Sequence, residues 1–329
     1  SPDDSRVVTA NQDGFVRVYA VNAAAPVIEI QASKKSILAV AVHPDGKRVF
    51  FSTDDQVVGV WDGQAKSKPV EIGKHEKASV FFLALNAQGT MLASLGTDET
   101  ARIWNIQEKK PREVLTLRHD SPVNHVAFSS DGMFVATASS DRLVRTANLQ
   151  RKEPPFIYSG HTQTVHHVTF HPREPFFATA SHDGTARIFR MYSEASFVLR
   201  GHDAAVRTVA WNASGTMLVT AAGDGTDRSP DETARVWNPG ALERIGYGSQ
   251  GEVAIHSMEA QVAKMRLVAV HGDDVVRVFE RSTGSNAKVA LPSRNGWVAN
   301  ASLSPDGLRI ATASFDKIVR VFQIEKPTE

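Results

Sequence analysis

TARIWN at residues 100–105 and TARVWN at residues 233–238 differ at one position, and each closes a longer phrase. Trp104 follows Asp98 by six residues, and Trp237 follows Asp231 by the same interval. Working outward, the phrase recurs as VVTANQDGFVRVY, VFFSTDDQVVGVW, MLASLGTDETARIW, FVATASSDRLVRTA, FFATASHDGTARIF, MLVTAAGDGTDRSPDETARVW, LVAVHGDDVVRVF and RIATASFDKIVRVF. Its aspartates, Asp13, Asp55, Asp98, Asp141, Asp183, Asp231, Asp273 and Asp316, are spaced 42, 43, 43, 42, 48, 42 and 43 residues apart. Six residues beyond them stand Tyr19, Trp61, Trp104, Ala147, Phe189, Trp237, Phe279 and Phe322, so Ala147 alone breaks an aromatic rule.

Within each unit the apolar residues alternate with period two and are rich in Val, Ile, Thr and aromatics, the pattern of short β-strands. Four strands fit a unit: in the third, VFFLAL, MLASLG, TARIW and EVLTL, with Gly89 turning between the first two. Gly46, Gly132, Gly215 and Gly307 fall at the equivalent turn, where a hairpin calls for positive φ. Four antiparallel strands repeated every ~40–45 residues mark a β-propeller blade. The expected fold is all-β, one propeller domain over residues 1–329, with units near 1–31, 32–73, 74–117, 118–158, 159–199, 200–246, 247–291 and 292–329.

The chain resembles the WD-repeat propeller family along essentially its whole length. The resemblance rests on the Asp-to-aromatic interval and on a Gly-His pair, or its remnant, before the innermost strand: His75, His119, His161 and His202. It implies that His, a Ser or Thr, Asp and Trp form a hydrogen-bonded chain bracing each blade. Carried over, the best sets are His75, Ser94, Asp98, Trp104 and His202, Thr220, Asp231, Trp237; the fifth unit keeps His161, Thr179 and Asp183 but has Phe189 in the Trp slot.

Ser1-Pro2-Asp3-Asp4 matches Ser304-Pro305-Asp306-Gly307, the turn after an innermost strand, so the first unit starts within its blade. Thirty strands are expected: three, then six sets of four, then three. We expect eight blades, the ring incomplete at the N-terminus, with seven blades or part of a tandem propeller as alternatives. Ser1 without a leader pattern reads as an excised piece, with an effector domain expected upstream.

Composition narrows function. Thirty-seven basic against 36 acidic residues provide no bulk attraction to nucleic acid, and no apolar run approaches a membrane span. The absence of cysteine removes disulfides and suits a reducing compartment, the cytoplasm, with the nucleus as the alternative. No phosphate loop, HExxH or nucleophile elbow occurs, and no cofactor is implied. Ser181-His182-Asp183 invites a hydrolase reading, but adjacent residues on a strand end diverge, and Asp183 fills a recurring structural slot. His166, His167 and His171 raise a metal reading, opposed by strand alternation, which turns His166 away from the other two. Arg17, Arg102, Arg145, Arg187, Arg235, Arg277 and Arg320 precede the aromatic slot by two, and we expect them to pack against rings between blades. GDGTDRSP at residues 223–230 is the one clear insertion, read as a solvated hairpin in preference to a calcium loop.

The repeat departs from itself in blades two and eight, which lack the bracing His. They carry instead Lys34 and Lys35, and Arg294 and Trp297, while Phe315 and Lys317 flank Asp316. These six residues are the expected partner-binding patch. The expected function is a non-catalytic interaction scaffold or sensor, binding another protein or peptide of acidic character. A propeller enzyme with a central hydrolytic or metal site and a nucleic-acid-binding propeller are the alternatives.

Overall fold

A computed structural model describes residues 1, 3, 5–21, 26–108, 110–193, 196–223, 231 and 233–239, together with the strand segments 243–246, 255–261, 266–271, 275–280, 289–292, 298–304, 308–314 and 319–323. The described residues form thirty strands in eight antiparallel sheets, and no helix. They fall into two compact units, Ser1–Gly160 and His161–Glu329.

In the first unit, β1 (Arg6–Ala10), β2 (Phe15–Ala20) and β3 (Ile28–Gln31) make a three-stranded sheet. The next holds β4 (Ile37–Val42), β5 (Val49–Thr53), β6 (Val57–Trp61) and β7 (Val70–Lys74). The third is β8 (Val80–Leu85), β9 (Met91–Gly96), β10 (Thr100–Asn105) and β11 (Arg112–Arg118), and the fourth β12 (Val123–Phe128), β13 (Phe134–Ser139), β14 (Val144–Asn148) and β15 (Phe156–Tyr158).

The second unit opens with β16 (Val165–Phe170), β17 (Phe176–Ser181), β18 (Ala186–Arg190) and β19 (Ser196–Leu199), followed by β20 (Val206–Trp211), β21 (Leu218–Ala222), β22 (Ala234–Asn238) and β23 (Glu243–Gly246). Then come β24 (Ile255–Gln261), β25 (Arg266–His271), β26 (Val275–Glu280) and β27 (Val289–Pro292), and last β28 (Val298–Leu303), β29 (Arg309–Ser314) and β30 (Val319–Gln323). Strands run in simple meanders, so each hairpin turn places sequence neighbours side by side.

The cores lie between sheets. Val16, Val18 and Ile30 of the first sheet pack with Ile37, Val49, Phe51 and Trp61 of the second. Phe50 and Val58 of the second join Val80, Leu83, Leu92 and Trp104 of the third. In the second unit Ala178, Ala180 and Ile188 meet Val206, Val209, Leu218 and Trp237. A sheet buried on both faces needs apolar residues on both sides, which is why strands such as LVTAA and FFATAS carry no charge. Ala147, in the aromatic slot, joins a buried cluster with Leu95, Ile103, Leu117, Val126 and Val135.

One device repeats at the turns between first and second strands. His43 Nε2 hydrogen-bonds the Gly89 carbonyl at 2.8 Å and His171 Nε2 that of Gly215 at 3.0 Å, each linking a sheet to the next. Gly89 has φ 66° and Gly215 φ 76°, and a Cβ at either would lie 2.3 Å or 2.1 Å from the histidine nitrogen. Only glycine satisfies both the left-handed turn and the close imidazole.

Candidate functional site

Among the described residues, four blades contain a buried hydrogen-bonded chain. In the third sheet Trp104 Nε1–H donates to Ser94 Oγ at 2.8 Å, Ser94 Oγ meets His75 Nε2 at 2.8 Å, and His75 Nδ1 bonds Asp98 Oδ1 at 3.0 Å. In the sixth, Trp237 Nε1–H donates to Thr220 Oγ1 at 2.8 Å, Thr220 meets His202 Nε2 at 2.7 Å, and His202 Nδ1 bonds Asp231 Oδ2 at 2.8 Å. The fifth has Thr179 2.7 Å from His161 Nε2, and Asp183 2.9 Å from Nδ1. With no indole donor, Phe189 instead stacks on Phe177 at 5.2 Å. A fourth chain, absent from the best sets read in the sequence, joins His119 to Thr137 at 2.8 Å and to Asp141 at 2.9 Å. Its signal was present in RHD and in the repeated Asp; the missing Trp obscured it.

Burial would raise these carboxyls, yet hydrogen bonds from His75 and Thr100 hold Asp98 down at about 2. Asp141, Asp183 and Asp231 are held lower still, each against burial, by the histidine and turn donors around it. Burial pushes the His161 imidazole below its ordinary range, outweighing Asp183, so its neutral form accepts from Thr179 and donates to Asp183. Hydroxyl, imidazole and carboxylate thus stand in the order of a hydrolase triad. But Ser94, Thr179 and Thr220 have no exposed surface, and no carbonyl carbon can approach them within the folded blade. They brace.

The consecutive Ser181, His182 and Asp183 diverge. Ser181 Oγ bonds the Thr164 carbonyl at 2.9 Å, Asp183 bonds His161, and exposed His182 lies 3.4 Å from His166 Nε2. The arginine reading needs correction. Arg17 pairs with Asp13 at 2.7 Å and Glu29 at 2.6 Å, and Arg102 with Glu113 at 3.0 Å and Asp98 at 3.5 Å. Arg145 pairs with Asp141 at 2.7 Å, Arg235 with Asp231 at 3.5 Å, and Arg187 reaches Ser196 at 3.3 Å. An Asp at the turn and an Arg four residues on point the same way, and a carboxylate outcompetes a ring for guanidinium. Arg17 also lies over the Phe15 ring, at 5.1 Å from its centroid.

Every inner strand from β4 to β28 carries a register shift at its second residue: Leu38, Phe81, Asn124, His166, Arg207, His256 and Ala299. Such a bulge leaves one residue outside the ladder and re-aims its side chain. It also breaks the strict alternation expected around His166. The residues immediately before it and two after it are aliphatic, Met or Ala, whereas the bulge position ranges from Phe to Arg. Leu38 is 41% and Phe81 38% exposed, on β4 and β8, which pack together. Sequence reading missed this pair because single apolar residues in a strand look like core.

Lys34 and Lys35 are exposed on the loop before β4. That loop folds onto the first sheet's turn, Ala32 N and Ser33 N donating to the Gly14 carbonyl at 2.9 and 3.1 Å. Beside it, Asp54 N donates to the Ser36 carbonyl at 3.0 Å, so the lysines share their end of the sheet with exposed Asp54 and Asp55. Arg294, Trp297, Phe315 and Lys317 lie outside the described residues, as do residues 224–230 of the insertion. Asp231, next to that insertion, is committed to His202. No group of three His, Cys, Asp or Glu residues that could hold a metal ion is assembled among the described residues.

Meandering antiparallel sheets packed face to face, four of them braced from His to Asp among the described residues, define a repeat propeller. The chain belongs to the WD-repeat family: WD domain, G-beta repeat, matches residues 25–62, 67–105, 111–146, 152–190, 193–238 and 288–323. Two similar solved structures are the C-terminal WD40 domain of Sif2 (TM-score 0.81, 16% identity, covering 98% of this chain and 93% of that one) and a chain of the mitotic checkpoint complex (TM-score 0.70, 18% identity, covering 84% and 87%). No curated protein matches the chain in sequence.

Proposed function

We propose that this propeller is a non-catalytic interaction platform that binds another protein or peptide through the sheet ends where the bulges and the His- and Asp-bearing loops emerge. The observation that carries it is the bulge series: a position released from the ladder, chemically varied from blade to blade, with Leu38 and Phe81 exposed at equivalent positions of the neighbouring strands β4 and β8. An exposed aromatic and aliphatic pair on rigid strands is the kind of anchor that dominates protein interfaces. The bracing chains hold that end rigid, limiting the entropy lost on binding. Family membership favours such a role, and one structural neighbour comes from a multiprotein complex. Lys34 and Lys35 extend the surface; Arg294, Trp297, Phe315 and Lys317 are proposed partner contacts on the sequence pattern alone. Because Asp54 and Asp55 adjoin the lysines, the partner presents an apolar anchor first, and acidic groups only at its margin. Cytoplasmic location and an upstream effector belong to the same reading.

The test is site-specific photocrosslinking at Phe81 in extract of the source cells, with outer-strand Phe197 as control, then affinity measurement with the captured partner. Leu38→Asp and Phe81→Asp are expected to weaken binding at least about tenfold with melting temperature preserved. Equal capture at Phe197, or unchanged affinity in both variants, overturns the proposal.

A further inference from the structure

Three loops of the first compact unit repeat a basic composition at one end of neighbouring sheets. They are DGQAKSKP (62–69), IQEKKP (106–111) and LQRKEPP (149–155), joining β6 to β7, β10 to β11 and β14 to β15. Together they hold six basic residues against three acidic, and Arg112 follows directly at the start of β11. The meander puts them at the end of their sheets opposite the bulges and the His- and Asp-bearing loops. The acids among them are already engaged: Glu108 pairs with Arg112 at 3.1 Å and Glu153 with Arg151 at 3.6 Å, while Asp62 accepts from the Gln64 amide at 2.9 Å and from the Ser67 hydroxyl. Lys66, Lys68, Lys110 and Lys152 are exposed, and no carboxylate pairs with them among the described residues. At the same end Lys47 is exposed beside Asp45, which Arg48 holds at 2.8 Å, and the turn of the fourth sheet adds one exposed acid, Asp131.

The fold does not ask for these charges. The matching connection of the first blade, VNAAAP (21–26), has none, and that of the fifth, MYSEA (191–195), has only an acid. Lysine and proline also blunt an outer strand against edge pairing, but the first and fifth outer strands have the same need and go without the lysines. Beside each basic loop an aliphatic residue of the outer strand stands in solvent: Val70 is 59%, Val114 38% and Ile157 50% exposed. The pattern points to one kind of partner. Arg112 and Arg151 are tied to glutamates, and no aromatic residue stands in the three loops to stack on a base, which is unlike a nucleic-acid surface. A bound peptide follows a groove, whereas these lysines rise from separate sheets about 10 Å apart or more. A planar anionic surface meets all three loops at once, takes the lysines as diffuse point charges with their stems along apolar material, and accepts the neighbouring aliphatics.

We propose that this end of the first compact unit docks on an anionic lipid membrane surface through loops 62–69, 106–111 and 149–155, leaving the opposite sheet ends to the protein partner. The docking surface stands on the charge and exposure of these loops and does not depend on the interaction platform.

The test is sedimentation of the whole chain with phosphatidylcholine vesicles containing about one-third phosphatidylserine, and with pure phosphatidylcholine vesicles, at about 0.1 M and about 0.5 M salt. Partition onto the phosphatidylserine vesicles is expected at the lower salt only. Lys66→Glu with Lys68→Glu, and Lys110→Glu with Lys152→Glu, should each weaken it at least about tenfold while the melting temperature holds. Lys34→Glu with Lys35→Glu makes the same change in net charge at the other end of the sheets and should leave partition within about twofold of the wild type. Equal partition onto both vesicle types, partition unchanged in both loop variants, or an equal loss in the Lys34 and Lys35 variant overturns the proposal. So does tighter binding to duplex DNA or to polyglutamate than to the vesicles at the same salt and anion concentration. Loss of partner capture at Phe81 with vesicle binding intact bears on the platform alone, so the two readings fail separately.

Discussion

Gly73 on β7 lies against the indole of Trp104 on β10 of the next sheet, so closely that a methyl at its Cα would stand 2.2 Å from Cζ3 and 2.3 Å from Cη2 of the ring. The outer strand of one blade is therefore cut to the shape of its neighbour's bracing residue. Gly73→Ala is expected to cost about 1–3 kcal/mol through overpacking, because neither the ring, tethered to Ser94, nor the paired strand can yield. Urea denaturation checks it. Combining Gly73→Ala with Trp104→Phe should recover part of the loss; additive costs would separate the two residues.

Trp104 and Trp237 combine a large buried ring with a hydrogen bond to a hydroxyl, and the two contributions can be resolved. Replacement by Ala should cost about 3–5 kcal/mol, and by Phe, which loses the indole donor, about 1–2 kcal/mol beyond the packing change. In the fifth blade Phe189→Trp is not expected to stabilise, since Phe189 stacks on Phe177 in a space shaped for it. Denaturant midpoints unchanged by both alanine variants would exclude the two tryptophans from the blade cores.

Acid should destabilise the protein in two stages. His161 titrates below its ordinary value when folded, so the unfolded chain takes up the proton more readily, and stability falls as pH drops below about 6.5. Asp98, Asp141, Asp183 and Asp231 also have lowered folded values, so their contribution is complete above about 4 and is lost as pH falls further toward those values. Melting temperature recorded from pH 8 to 3 should show a shallow decline and then a steep one. His161→Gln should reduce the shallow stage and leave a remainder from His166, which burial likewise holds low, at about 4; a curve that is flat to pH 4 in the wild type contradicts the assignment.

Lys34 and Lys35 stand at the margin of the proposed surface, exposed and at the same sheet end as two aspartates. Reversing both charges should slow association with an acidic partner a few-fold in low salt and have little effect near 1 M salt, where screening is short-ranged. Stopped-flow association rates at two ionic strengths decide it. A change in dissociation rate that persists in high salt would place the lysines in the anchored core of the interface instead.

Much of this molecule was legible in the chain itself. The strand boundaries of the third blade, the thirty-strand tally and the sets His75–Ser94–Asp98–Trp104 and His202–Thr220–Asp231–Trp237 could be read because period-two patterning and a fixed Asp-to-aromatic interval are local properties, repeated often enough to compare with themselves. The arginines were misread because the sequence shows which residues share a strand face but not which acceptor on that face lies within reach; Arg17 chose Asp13 and Glu29 over Tyr19.

The candidate surfaces needed the tertiary structure. A bulge belongs to the register between two strands, so nothing in VFFLAL alone shows that Phe81 leaves the ladder, and nothing in VHHVTF shows that His166 escapes the alternation. His182 and Arg207 reach His166 from a turn 16 residues away and a strand 41 residues away, a meeting that depends on how one sheet packs on the next. Sequence alone determined the repeated unit and its bracing residues, because neighbouring residues and short turns dictate them. Packing between sheets decided which side chains face solvent together, because that depends on distances that close only when the blades stack.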